Sequence, residues 1–211
     1  MLDLAWGIDS TINVDGLVIE LDLEFSNVLR WFRILEDKAE TDEYKVMSCL
    51  TTIACLSTEE ISELDYDMLH TIFSEVLSRL IPQKKEDVTR DLAGNVISEP
   101  ETKNYDLFED SGYIYASFMH QYQIDLVDTS LHWDKFNAML DGLAEDTRFR
   151  EVLKIRQMEI PKKASQEEKE AMIKAKKSVA LRSNREAMEF EAMDLKQKRE
   201  WFERHNSKVG E

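Results

Sequence analysis

Glycine and proline together fill only nine of the 211 positions, and this scarcity restricts the fold more than any other feature. Average usage of the two residues is roughly 12%, so the chain has few places where it can reverse sharply. Long helical runs joined by few turns follow. One reversal is written plainly. In "INVDGLVIELDLEF" apolar and polar residues alternate on either side of Asp15-Gly16, a pair suited to a two-residue hairpin turn. Ile12, Val14 and Val18, with Leu21 and Leu23 beyond, supply its expected apolar face. A lone hairpin is marginal in water, so this one must pack on helices or on another chain.

Helical spacing governs the rest. From Ser26, Val28, Trp31, Phe32 and Leu35 form one stripe; from Thr41, a second helix continues with Tyr44, Met47, Leu50 or Thr51, and Ala54. "STEE" at 57–60 is a capping box that restarts the chain as helix, Ser57 with Glu60. Met68, Leu69, Ile72, Val76, Leu77 and Leu80 then run to Pro82. After residue 104, Asp110 or Ser111 caps a helix carrying Ile114, Tyr115, Phe118, Met119 and Tyr122. Trp133, Phe136, Leu140 and Leu143 are spaced three, four and three, a seam for packing against another helix. Phe149, Val152, Leu153 and Ile155 mark one more helix, closed by Pro161. A second capping box, Ser165 with Glu168, opens a charged helical tail whose apolar stripe is thin: Met172, Val179, Met188, Phe190, Met193, Trp201 and Phe202. So thin a stripe predicts a projecting arm or a docking helix for a partner.

The expected fold is therefore mainly α: a helical bundle with one N-terminal β-hairpin and a long charged C-terminal helical tail. Its organisation reads as hairpin plus helices over 1–82, a flexible linker over 83–104, a helical segment over 105–162 and the tail over 163–211. The linker is charged, contains Gly and Pro, and lacks large apolar groups.

Charge narrows the function. Residues 1–161 hold 14 Lys and Arg against 33 Asp and Glu, whereas 162–208 hold 13 against 9. Such an acidic body repels phosphate backbones, which argues against nucleic acid and toward a basic partner or solubility. An acidic mimic of nucleic acid has this charge as its only support. The start "MLDLAWGIDST" has no basic opening and no signal-type apolar run, and the longest uncharged runs are too short to span a bilayer. The expectation is a soluble intracellular protein with no membrane contact. Cys49 and Cys55 read as reduced core residues, since no second Cys/His pair stands at ligand spacing.

No phosphate-cradling glycine loop and no nucleophile elbow occurs. A di-iron bundle needs two Glu-x-x-His elements, and the nearest match is a single Asp67-x-x-His70. His120, His132 and His205 have no Cys or Ser partner at motif spacing. The acid pairs Glu109-Asp110 and Glu145-Asp146 precede helices, where they suit the helix dipole. No catalytic residue, metal or cofactor is expected, and the chain does not read as an enzyme. The aromatic and methionine stripes have two readings: an ordinary core or, exposed, an adaptable groove for apolar helices.

The residues of "YDLFEDSGYIYASFMHQYQIDLVDTSLHWDKFNAMLDGLAEDTRFREVLKIRQMEIPK", with the hairpin near the start, resemble a family of siphophage proteins of Gram-positive hosts labelled by gene-product number. The elements that carry the resemblance are Asp110 with "YIYASF", "YQIDL", "LHWDKFNAMLDGL", "DTRF" and "IRQMEIPK", and it extends over about residues 10–181. Position 134 is Asp where the family pattern has a second tryptophan after Trp133. The resemblance implies a tail-assembly chaperone of the host cytoplasm that coats the tape-measure protein, is displaced as tail-tube protein polymerises, self-associates, and is absent from the mature virion. The alternative is a tail-completion or connector subunit retained in the virion. For the chaperone, the expected partner-binding residues are Tyr113, Tyr115, Phe118, Met119, Tyr122, Trp133, Phe136 and Leu140, with the tail after Ser165 as a second candidate.

Overall fold

The computed structural model describes residues 2–5, 7–81, 104–161 and 163–185, together with 199 and 201. In chain order the elements are β1 (Leu2–Asp3), β2 (Gly7–Ile8), β3 (Thr11–Val14), β4 (Leu17–Glu20), α1 (Phe25–Glu36), α2 (Asp42–Thr52), α3 (Thr58–Glu63), α4 (Tyr66–Leu80), α5 (Ser111–Tyr122), α6 (Trp133–Asp141), α7 (Arg148–Gln157) and α8 (Gln166–Val179). The protein is mainly helical, as expected. The anticipated linker at 83–104 lies outside the described residues except for Asn104, and so does most of the tail beyond Arg185. The chain divides into two compact units, one of residues up to 81 with Gln123–Gly142 and one of residues 104–122 with 143 onward. The stretch 105–162 is thus shared: α6 belongs to the first unit, α5 and α7 to the second.

In the first unit, β3 and β4 pair antiparallel around Asp15 (φ 50°) and Gly16 (φ 89°), both left-handed. This is the turn whose twist matches its strands. Asn13 accepts the Gly16 N–H at 3.0 Å. Val14 faces Leu17 and Ile12 faces Ile19, so Ile12, Val14 and Ile19 are buried while Val18 is 62% exposed. The expected inward Val18 is corrected to Ile19. Across a two-residue turn opposite residues share a face, which puts position 18 with Asn13 on the outer side. A second, two-residue ladder between β1 and β2 precedes this hairpin, beyond the single strand region expected.

Side chains start the helices. Glu24 accepts the Asn27 N–H at the head of α1, Thr41 that of Tyr44 in α2, and Asp65 that of Met68 in α4, while Ser57 and Glu60 form the expected capping box of α3. The buried face of α2 is Ser48, Cys49 and Leu50, continued by Ile53 and Ala54. Tyr44 (50% exposed) and Met47 (38%) lie off it, a correction to the expected stripe. Cys49 is buried, and desolvation pushes its thiol up to about 12. Cys55 is exposed at a left-handed position (φ 53°), so only one of the two cysteines is core.

Rings fill the interior of this unit. Phe25 stacks on Phe136 at 5.1 Å between centroids, Phe136 on Trp133 at 5.6 Å, and Phe32 meets Trp133 edge-on at 5.5 Å. Trp31 meets Phe73 edge-on at 6.3 Å. Both indoles are satisfied: Trp133 Nε1 donates to the Leu80 carbonyl at 3.0 Å and Trp31 Nε1 to that of Lys45 at 3.2 Å. Main-chain bonds from Phe25 to Leu131 (2.8 Å) and from Trp133 to Leu23 (2.7 Å) join the starts of α1 and α6. Burying each such side chain stabilises the fold by about 1.5–3 kcal/mol.

The second unit packs α5 on α7 and α7 on α8. Ile114, Phe118, Phe149, Val152, Leu153, Val179 and Leu181 are buried there. Thr147, the N-cap of α7, makes no side-chain cap bond. Ser117 of α5 fills that role, accepting the Phe149 N–H at 3.0 Å while donating to the Tyr113 carbonyl at 2.7 Å. At its centre Arg156 forks onto Asp110, with both nitrogen–oxygen distances 2.7 Å and the side chains only 9% and 1% exposed. The same guanidinium donates to the carbonyls of Val179 (2.6 Å) and Asn104 (3.0 Å).

That clasp corrects the expectation for the start of the tail. The Ser165–Glu168 capping box opens α8 as expected, but α8 packs on its own unit instead of projecting. Val179 and Leu181 are buried, Lys176 donates to the Met158 carbonyl at 2.8 Å, and Glu109 accepts the Arg182 N–H at 2.9 Å. A thin stripe suffices because two buried aliphatics at one end are reinforced by these polar ties. The helix also ends at Val179, with Ala180 extended, before helical backbone resumes over 182–185.

Candidate partner-binding surface

The eight residues expected to bind a partner fall into three groups. Trp133, Phe136 and Leu140 of α6 are buried in the ring cluster of the first unit, and Phe118 of α5 is buried in the second. Tyr113, Tyr115 and Tyr122 are half-buried. The Arg148 guanidinium lies 5.7 Å from the Tyr113 ring centroid, and Tyr122 meets Phe118 edge-on at 5.5 Å. Met119 is 41% exposed. The α5 side open to a partner is therefore Met119 with the half-buried Tyr115 and Tyr122, one turn to either side of it, while Tyr113 lies against Arg148 and the α6 stripe serves its own core. A 3.6-residue period marks the buried side of a helix and the binding side alike, which is why spacing alone left both readings open.

Two other exposed apolar side chains, Met47 and Tyr66, line a groove. Between α2 and α4 runs a groove of about 340 Å³ lined by Asp42, Glu43, Val46, Met47, Leu50, Tyr66, Leu69, His70 and Phe73. Tyr66, the first residue of α4, is 79% exposed, and its ring lies 6.3 Å from that of His70. Leu50 and Phe73 form the floor, Met47 and Tyr66 the walls. Sequence reasoning assigned Met47 to the interior and missed this surface. A signal was present: Tyr44, Val46, Met47, Cys49 and Leu50 cover a wider arc of an 11-residue helix than one buried stripe needs. A second groove, of about 360 Å³, lies beside β4 and is lined by Leu17, Val18, Cys55, Leu56 and Leu64 among others.

Polar chemistry in the first unit serves structure. Arg79 forks onto Asp134 at 2.8 and 2.6 Å and donates to the Asp9 carbonyl at 3.1 Å. Burial opposes the charge on Asp134, but the Arg79 hydrogen bonds and charge outweigh it and hold that carboxyl below its ordinary range. Asp134 is thus an ion-pair partner. His132 caps α6, its Nδ1 accepting the Asp134 N–H at 3.0 Å, while its Nε2 meets Ser10 Oγ at 3.1 Å. Desolvation lowers the His132 pKa. Asp110 and His132 are in this way occupied by an ion pair and a cap. Among the described residues no group of three or more His, Cys, Asp or Glu is arranged to hold a metal ion, and no helix is long and apolar enough to cross a membrane.

These features define a class first: a mainly helical acidic protein in which the buried ion pair and the caps build the fold and some exposed apolar groups line open grooves. The family follows from comparison. The model of the family described as Bacteriophage Gp15 protein matches residues 8–181, and the chain belongs to that phage family. The match ends at Leu181, whose side chain is buried in the second unit. No curated protein and no solved structure matches the chain.

Proposed function

We propose that this phage protein is a tail-assembly chaperone that binds and solubilises the tape-measure protein in the host cytoplasm and leaves before the virion is complete. The observation that carries the reading is the pairing of a strongly acidic body with exposed Met and Tyr side chains, Met47, Tyr66 and Met119. A long helical client presents apolar stripes, and its chaperone needs adaptable apolar surface, a charged exterior that keeps coated complexes apart, and modest contacts that release. Met119, with the half-buried Tyr115 and Tyr122 at helical spacing, offers such a surface on α5, while Phe118, Trp133, Phe136 and Leu140 serve the interiors of their own units. Tail-tube protein is the proposed competitor that releases the client.

The test is co-expression with fragments of the tape-measure protein, followed by pull-down and mass determination of the soluble complex. Solubilised fragments carrying several copies of this chain are the expected result. Fragments that precipitate while the chain stays folded and alone would overturn the reading. Recovery of the chain in purified virions would point instead to a tail-completion or connector subunit.

A further inference from the structure

We infer that the groove between α2 and α4 is a docking site for an amphipathic helix whose apolar stripe is flanked by Lys or Arg. At about 340 Å³ the groove receives side chains, not a whole helix. A helix laid across it would insert residues from one face against Leu50 and Phe73 and between Met47 and Tyr66. Methionine and tyrosine walls suit this task, since the first adapts its shape and the second offers apolar area with a polar tip.

Charge selects the occupant. Asp42 and Glu43 line the groove, and between residues 36 and 67, the segment that carries α2 and enters α4, ten Asp and Glu stand against two Lys. A helix with basic flanks meets complementary charge along this rim, whereas a second copy of this chain would bring like charge against it. The inference rests on the reading of the protein as a binder of helical clients, and it names a place on the chain and a chemistry for that binding.

The experiment uses the full chain and a fluorescent synthetic Leu/Lys amphipathic helical peptide, with its Leu/Glu counterpart, followed by anisotropy at several salt concentrations. The wild type should bind the Leu/Lys peptide and not the Leu/Glu peptide. Met47→Glu should weaken binding roughly tenfold, the scale of a lost anchor residue, with an unchanged melting curve because Met47 lies on the surface. This substitution adds negative charge, so non-specific attraction of a cationic peptide would strengthen, not weaken. Asp42→Asn with Glu43→Gln should weaken binding and flatten its salt dependence, while Glu145→Gln, on the second unit, should do neither.

Equal binding of the Leu/Lys peptide by wild type and Met47→Glu would overturn the inference, as would no binding by the wild type or equal binding of the Leu/Glu peptide. Sedimentation showing a wild-type dimer that Met47→Glu dissociates would assign the groove to a second copy and overturn it too. The two readings fail separately. Tape-measure fragments solubilised equally well by Met47→Glu would remove the groove and leave the chaperone. Groove-dependent peptide binding with no fragment ever solubilised would remove the chaperone and leave the groove.

Discussion

In the first unit the interior is a ladder of rings, Phe25 on Phe136 on Trp133 with Phe32 at the edge, and its Arg79–Asp134 pair lies near the surface, 19% and 13% exposed. In the second, the buried apolar side chains are two phenylalanines and a few aliphatics, and the charged fork of Arg156 on Asp110 is almost sealed from water. The difference teaches where each unit is vulnerable. A ring cluster tolerates a change of shape, because its contacts are many and non-directional. A buried ion pair tolerates no loss of a partner, because the remaining charge keeps its desolvation cost without its compensation.

Asp110→Asn, nearly isosteric, breaks that comparison most severely and should destabilise the second unit by about 3–5 kcal/mol. Hydrogen exchange read by mass spectrometry should show α5, α7 and α8 losing protection; an unchanged α7 would mean the fork contributes little. Arg79→Ala removes the more exposed pair and should cost less, about 1.5–3 kcal/mol, read as a lower urea midpoint. A cost equal to that of Asp110→Asn would erase the distinction by burial. Phe136→Leu keeps an apolar side chain in the ring cluster but loses the ring's stacking and some volume, and should cost about 1.5 kcal/mol by the same urea midpoint.

A pH effect comes next. The His132 pKa is lowered from its ordinary 6.5 by desolvation, so the folded state favours neutral imidazole, whose Nδ1 is free to accept the Asp134 N–H. Protonation favours the unfolded chain. This contribution is complete above pH 6.5 and is lost as the pH falls below that value. His132→Asn keeps a capping acceptor without the titration, and should flatten the fall in melting temperature between pH 7 and pH 5. A slope equal to that of the wild type would locate the pH dependence elsewhere. Smallest of all, Tyr66→Ser at the groove wall should change stability by less than about 0.5 kcal/mol, a silent thermal melt being the check that this ring belongs to a surface.

Much of the local structure was legible because its causes lie within a few residues. Asp15-Gly16 dictated its hairpin, and Ser57 with Glu60 and Ser165 with Glu168 dictated helix starts, whereas the spacing of Trp133, Phe136 and Leu140 marked an apolar seam without saying that it is buried. The errors have local causes too. Val18 was misassigned by following alternation along one strand instead of pairing across the turn, and Met47 by choosing one of two apolar arcs on α2. The candidate surface was legible only in kind, as aromatic and methionine stripes on helices, since the same period serves core and groove.

The sequence by itself determined the mainly helical class, the hairpin turn, the capped helix starts and the acidic character, because propensity, turn chemistry and charge act over a few residues or depend on composition alone. Tertiary structure decided which arcs became interior. It brought Arg156 to Asp110 across 46 positions, lent Ser117 as a cap to another helix, tied α8 to its own unit and opened the groove between α2 and α4. Those outcomes depend on which surfaces meet after the chain folds back, and neither spacing nor propensity carries that distance.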